Sequence, residues 1–344
     1  MKLFPDRINF INMCSKGRIC MLEKMIDILK KNPRRIVFPE GTDARIQSAA
    51  SRLKKDGYLT PVLIGNPDQV KAAAAKSGAD ISGIEIVDIA TFPEFEKMVS
   101  TMVELRHGKM DEATCRANLQ KSNYFGTMYV KMGYADALLG GATYSTADTV
   151  RPALQLVKCK PGHKIVTSCF LLVRPAKDGG EEMYAIGDCA INIDPTDDEL
   201  VEIAQGTAET ARTFGMEPRV AMLSYSSKGS GKGDSVDKVR SATEKLLATN
   251  PDFPADGELQ FDCAFVPEVA ALKAPDSAVA GKANVFIVPD INAGNIAYKM
   301  AQRFGGFEAI GPIMAGLNAP INDLSRGCNA EEVYKMAIIT AALK

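Results

Sequence analysis

Apolar positions along this chain follow two alternating rhythms. Short continuous runs, RIVFPEG (35–41), PVLIG (61–65), IEIVD (84–88) and ADALLGG (135–141), read as buried strands ending in turns. Between and after them the period changes to that of amphipathic helices, over 43–57, 67–78, 91–108, 110–120, 123–133 and 145–158. Strand–helix alternation predicts a mainly parallel sheet with helices on both faces and a ligand site beyond the carboxyl ends of the strands. The middle of the chain differs. HKIVTSCFLLVRP (163–175) and EEMYAIGDCAIN (181–192) flank the turn AKDGG, which predicts an antiparallel hairpin. Helices over 197–215, 236–250 and 293–306 then alternate with strands at 219–226 and 283–289.

This order predicts an α/β protein of two domains with mainly parallel sheets sandwiched by helices. The first domain takes 21–159 plus 313–344, the second 160–312, and residues 1–20 form an N-terminal extension. The hinge and the active-site cleft are expected near KPGHK and GPIMAG.

The stretch GPIMAGLNAPINDLSRGCNAEE (311–332) holds the densest candidate chemistry. Its glycines and prolines predict loop and tight turn in the first half, with Asn322 and Asp323 as turn or cap residues. Ser325, Arg326 and Gly327 then precede a helix from Glu331 to Leu343, with Asn329 as N-cap and Glu331 and Glu332 in the first turn. A hydroxyl, a guanidinium, helix-start amides and a carboxylate can together hold a phosphate-bearing reactant. Other strand-end turns add polar groups: Glu40 to Arg45, then Ser145, Thr146 and Arg151, then Ser226, Ser227 and Lys228 in the loop SYSSKGSGKGDS. That loop fits neither G-x-x-x-x-G-K-[ST] nor G-x-G-x-x-G, so it is no nucleotide-binding fingerprint.

Composition narrows the partners. Formal net charge is −1, which removes any bulk basic field for nucleic acid. No run approaches the roughly 20 apolar residues that cross a membrane, and the basic N-terminus lacks the apolar core of a secretion signal. Eight scattered cysteines without a CxxC pair, and two histidines, give no zinc spacing and suit reduced cytoplasmic thiols. Cys328 alone draws notice, since it adjoins the Ser–Arg pair. That pair sits in N-D-L-S-R-G rather than G-x-S-x-G, which disfavours a serine nucleophile.

Four ordered segments, VFPEGTDARI, GATYSTADTVRPALQ, SYSSKGSGKGDSVDKV and PINDLSRGC, closely resemble the phosphate acetyltransferase (phosphotransacetylase) family in its short, catalytic-domain form, over about 21–344. Phosphate butyryltransferases share the fold and part of the motifs. The resemblance implies an isocitrate/isopropylmalate dehydrogenase-like fold, a homodimer, no permanently bound cofactor or metal, and coenzyme A as substrate. It implies the reaction acetyl-CoA + phosphate ⇌ CoA + acetyl phosphate. Matched by motif, Ser325 and Arg326 are catalytic, and Arg45, Arg106 and Arg151 are the family's other arginines. Ser145, Thr146, Ser226, Ser227, Lys228 and Asn322 are further substrate-binding candidates. The family's catalytic aspartate falls at Glu332, a departure that leaves Glu331 as its neighbouring rival. A non-catalytic protein of the same fold and an NAD-dependent dehydrogenase are the alternatives from other classes.

Overall fold

The computed structural model describes residues 21–177 and 179–344. After α1 (Met21–Lys31) the chain alternates through β1 (Arg35–Phe38), α2 (Ala44–Asp56), β2 (Thr60–Ile64), α3 (Pro67–Ser77) and β3 (Glu85–Val87). Three helices, α4 (Phe95–Arg106), α5 (Glu112–Leu119) and α6 (Ser122–Lys131), lead to β4 (Ala137–Gly140). Next comes α7 (Thr146–Pro152), which runs into a π-helical turn. Local chemistry sets these limits. Asp43 caps α2 by accepting from the amides of Arg45 and Ile46, and Gly57 ends it in the left-handed conformation.

The hairpin of β5 (Thr167–Pro175) and β6 (Glu181–Gly187) is antiparallel, as the pattern predicts. It is followed by α8 (Asp197–Thr213), β7 (Val220–Leu223), α9 (Asp234–Ala248), β8 (Ala255–Leu259), α10 (Phe261–Phe265) and α11 (Pro267–Lys273). The chain closes through β9 (Val285–Ile287), α12 (Ile291–Phe304), β10 (Glu308–Ala315), β11 (Ile321–Asp323) and α13 (Ala330–Ala342).

Two sheets result. The first is wholly parallel, in the order β11-β4-β1-β2-β3. The second runs β10-β5-β6-β9-β7-β8 and is antiparallel only where β5 meets β10 and β6. Three strands escaped the sequence pattern. β8 is ADGEL, too polar for a buried run. β10 and β11 occupy the segment expected to be loop. Gly311 and Pro312 lie inside β10 where its register shifts between Ile310 and Ile313. Because β10 is an edge strand, its proline breaks no central ladder. β10 belongs to the second sheet and β11 to the first, so the chain crosses between the sheets at 316–320.

One buried apolar cluster is shared by the two sheets. It joins α1, α2 and α13 to the faces of β1 and β5 and to α8. The far faces are covered by α4–α6 on the first sheet and by α10–α12 on the second. Every residue of α13 from Val333 to Ala342 is buried, so this helix is apolar nearly all round and sits between the layers.

Asn322 pins the same junction. It is fully buried on β11. Its Oδ1 accepts from the Met314 amide of β10 at 2.8 Å, and its Nδ2 donates to Thr340 Oγ1 of α13 at 2.9 Å. Both ends of the side chain are spent, which corrects the expectation that Asn322 binds substrate. Asn322→Ala leaves the Met314 amide buried and unpaired. Urea unfolding should show a loss of about 2 kcal/mol, and an unchanged midpoint would contradict this role.

Candidate active site

β1, β4 and β11 are neighbouring parallel strands, so their carboxyl ends and the loops after them meet at one edge. Glu40, after β1, is buried beneath the loop after β4. Its carboxylate accepts from the amides of Gly141 (2.9 Å), Ala142 (3.0 Å) and Thr143 (2.5 Å), and from the Thr143 hydroxyl (2.5 Å).

Arg45 ties all three loops together. Its Nη1 donates to the carbonyls of Arg326 (2.7 Å) and Cys328 (3.1 Å), and its Nη2 to that of Ala142 (2.8 Å). Nε and Nη2 also hold Asp43, at 3.0 and 2.8 Å. A guanidinium has five N–H donors, and all five are occupied. Arg45 therefore shapes the site from behind and has no donor left for substrate, which corrects its expected role.

The loop so held carries Ser325 and Arg326 into a cleft of about 470 Å³. Ser325 Oγ accepts from the Gly327 amide at 3.2 Å, which leaves its hydroxyl hydrogen free to donate. The Arg326 guanidinium is exposed and makes no hydrogen bond or ion pair among the described residues. Asn329 and Glu332 form a reciprocal capping box at the start of α13, each amide bonded to the other's side chain at 3.0 Å. The two glutamates then part. Glu332 lines the cleft, whereas Glu331 pairs with Arg52, whose guanidinium stacks 3.7 Å from the centre of the Tyr334 ring. Across the cleft, α12 presents Lys299 and Arg303, neither ion-paired among the described residues.

Thr146 also lines the cleft, beside Ser145, whose hydroxyl caps α7 through Asp148 at 2.7 Å. The other candidates lie elsewhere. Arg106 donates to the Gln155 carbonyl at 3.1 Å, and its charge and that of Arg151 both act on the Tyr124 hydroxyl; neither arginine lines the cleft. Ser226 is bonded to Glu258 in β8, Ser227 to Gln260 just after it, and Lys228 to Asp256 near its start. None of these three lines the cleft, and their polar groups fold the serine-rich loop onto β8. Cys328 is buried, and its thiol is pushed up to about 11, so it offers no thiolate.

Sequence reasoning noted Asp323 as a turn residue and missed it as a site residue. This carboxylate lines the cleft yet is only 1% exposed. It accepts from the hydroxyls of Thr146 (2.6 Å) and Thr149 (2.5 Å). A Cβ on Gly141 would come within 2.2 Å of Asp323 Oδ1, so the carboxylate fits because that position is glycine. Burial pushes its pKa up to about 6 against those hydrogen bonds, and the Glu40 charge adds to the rise. The available signal was two threonines three apart, able to converge on one acceptor, in a segment that ends one parallel strand away.

Two α/β layers with a cleft between them, floored by a free arginine and a serine at strand ends, define an anion-handling α/β protein. The family model described as phosphate acetyl/butaryl transferase matches residues 20–341. A curated phosphate acetyltransferase of Bacillus subtilis is 52% identical over 308 residues, covering 90% of this chain and 94% of that one. The crystal structure of a phosphotransacetylase from Streptococcus pyogenes superposes with a TM-score of 0.89 at 52% identity, over 94% of this chain and 97% of that one. A more distant chain from Salmonella typhimurium, provisionally named 4-hydroxythreonine-4-phosphate dehydrogenase, shares the fold alone. Its TM-score is 0.51 at 14% identity, over 91% of this chain and 100% of that one. The chain belongs to the phosphate acetyl/butaryl transferase family.

The Asp323 carboxyl has a testable cost. Its folded pKa lies above the unfolded value of 3.8, so the folded state holds the proton more tightly. The stabilisation is present at low pH and is lost as pH rises through about 6. Between pH 4.5 and 7.5 the wild type should lose about 2 kcal/mol relative to Asp323→Asn, read from paired urea midpoints. A difference that stays constant with pH would contradict the assignment.

Proposed function

We propose that this protein is a phosphate acetyltransferase. It interconverts acetyl-CoA + phosphate and CoA + acetyl phosphate by direct thiolate attack in a ternary complex. The observation that carries this reading is the unpaired Arg326 guanidinium beside Ser325 on the cleft floor, in a chain of this family. Both substrates are phosphate-bearing anions, and the cleft concentrates Arg326, Lys299 and Arg303 in a protein of net charge −1.

The chemistry ranks the residues. Phosphate leaves well as an anion and needs no strong acid. A guanidinium with its donors free can grip it at two points. The carbonyl oxygen gains charge during attack, and a placed donor there is worth about 3–4 kcal/mol; Ser325 Oγ–H fits that role. Deprotonating a thiol of pKa about 8.5 at pH 7 costs only about 2 kcal/mol, so Glu332 as base supplies the smaller term. Glu332 is preferred to Glu331 because Glu331 is committed to Arg52. Coenzyme A enters as substrate, and the reading calls for no resident cofactor.

Two wider features belong to the proposal. The chain divides into two domains, 21–159 with 313–344 and 160–312, a division supported by the passage of the chain from one sheet to the other after β10. The protein works as a homodimer. Ile296, Met300 and Phe304 recur every fourth residue on α12 and stand 58%, 50% and 84% exposed, a face that a second copy would cover. Sedimentation as a monomer would remove the dimer from this reading.

Thioester absorbance with coenzyme A and acetyl phosphate tests the function, with butyryl phosphate as the comparison. Faster turnover of acetyl phosphate is expected, and no thioester from it would sink the reading. Arg326→Gln should lower kcat/KM by at least a hundredfold, and Glu332→Gln by clearly less. Equal losses would overturn the ranking.

A further inference from the structure

Thr146 stands at the wall of the cleft with its single hydroxyl hydrogen already committed. It donates to Asp323 Oδ2 at 2.6 Å. Thr149, one helical turn on, commits its own hydrogen to Asp323 Oδ1 at 2.5 Å. Asp323 makes no ion pair among the described residues. Two hydroxyls on neighbouring turns of α7 therefore both point their hydrogens inward, to a carboxylate that only accepts. The Thr146 oxygen keeps lone pairs and has no hydrogen to present to the cleft.

Among the reacting groups of the transferase reading, acetyl phosphate offers only acceptors, its carbonyl and phosphate oxygens. In the direction that forms acetyl-CoA, the coenzyme thiol alone carries a hydrogen to donate. We propose that Asp323 is a positioning residue that turns Thr146 into an obligate acceptor, which holds the S–H of coenzyme A and aims its sulfur into the cleft. The inference rests on the transferase reading and names the residues that orient its nucleophile. The proton stays on sulfur in this contact until the base removes it, so no bond is made or broken by Thr146.

The setting explains why an amide would not serve. An asparagine at 323 brings an NH₂ donor against one of the two threonines. Where it faces Thr146, that threonine must accept from the amide and turn its hydrogen outward, against a thiol that needs an acceptor. The charge at 323 is held at a cost, since burial and Glu40 below it both disfavour ionisation and no cation pairs with it among the described residues. Tyr144 adds no relief. Its hydroxyl is buried with no hydrogen-bond partner among the described residues, against the position where Gly140 would carry a Cβ. The charged and titratable groups around the pair are Glu40 under the loop, Tyr144 beside it, and Arg326, Cys328 and Glu332 along the same cleft wall. A carboxylate kept where a neutral amide is easier to bury points to a use for its acceptor-only chemistry.

Steady-state kinetics on Asp323→Asn, Thr146→Val and Thr146→Ser test this, with S-methyl coenzyme A as an inhibitor that lacks the S–H. Asp323→Asn and Thr146→Val should each lower kcat/KM for coenzyme A about tenfold. KM for acetyl phosphate should stay within about twofold, and the inhibition constant of the S-methyl analogue should hold. Thr146→Ser should stay close to wild type, and the double variant Asp323→Asn/Thr146→Val should be no worse than either single one. Equal weakening of coenzyme A and its S-methyl analogue would overturn the proposal. So would additive losses in the double variant, or wild-type kinetics for Asp323→Asn. Loss of activity together with a lowered unfolding midpoint at pH 7.5 would make Asp323 a structural residue and overturn it too. Failure of the wild type to form thioester from acetyl phosphate is a separate result, which removes the transferase reading itself.

Discussion

The guanidinium of Arg45 is the fixed point of this site. It binds Asp43 after β1, the Ala142 carbonyl after β4, and the Arg326 and Cys328 carbonyls after β11. Parallel strands bring three loops to one edge, but backbone carbonyls in loops have no partners of their own choosing. One five-donor group satisfies three of them and sets the spacing between the loops. The free guanidinium of Arg326 can then stand in the cleft, because its own carbonyl is held from behind. One arginine is spent on architecture so that another is available for chemistry.

Charge in the cleft follows the same division. Glu40 is surrounded by four donors and serves the loop above it. Glu331 is drawn to Arg52, and Lys335 to Glu308 at 2.7 Å. Among the described residues, the cations left without an ion pair at the cleft are Arg326, Lys299 and Arg303. A protein with no net positive charge thereby presents a local positive surface to anions. Asp323, like Glu40, is a buried carboxylate that accepts from neutral donors and makes no ion pair among the described residues.

Much of the fold was legible because periodicity reports burial. The β5–β6 hairpin, the helices of the first layer and the Asn329 cap of α13 follow directly from the pattern. β10 did not, because Gly311 and Pro312 signal a turn, and only its place at a sheet edge lets them stay in a strand. The site was legible in its residue types more than in their directions. Ser325, Arg326, Glu332 and Thr146 meet at the cleft, whereas Arg45 and Asn322 face inward and Ser226, Ser227 and Lys228 fold onto β8. A donor in a turn reads the same whether it points to a ligand or to a carbonyl. What decides is the tertiary partner, such as the Cys328 carbonyl 283 positions away from Arg45.

The central claim is that thiol and acetyl phosphate react directly on the cleft floor, with Ser325 as a donor and not as a nucleophile. The most direct measurement is exchange of labelled inorganic phosphate into acetyl phosphate with coenzyme A rigorously absent. Direct transfer predicts no label in acetyl phosphate until coenzyme A is added. Steady exchange without coenzyme A would require an acetyl-enzyme and would contradict the account.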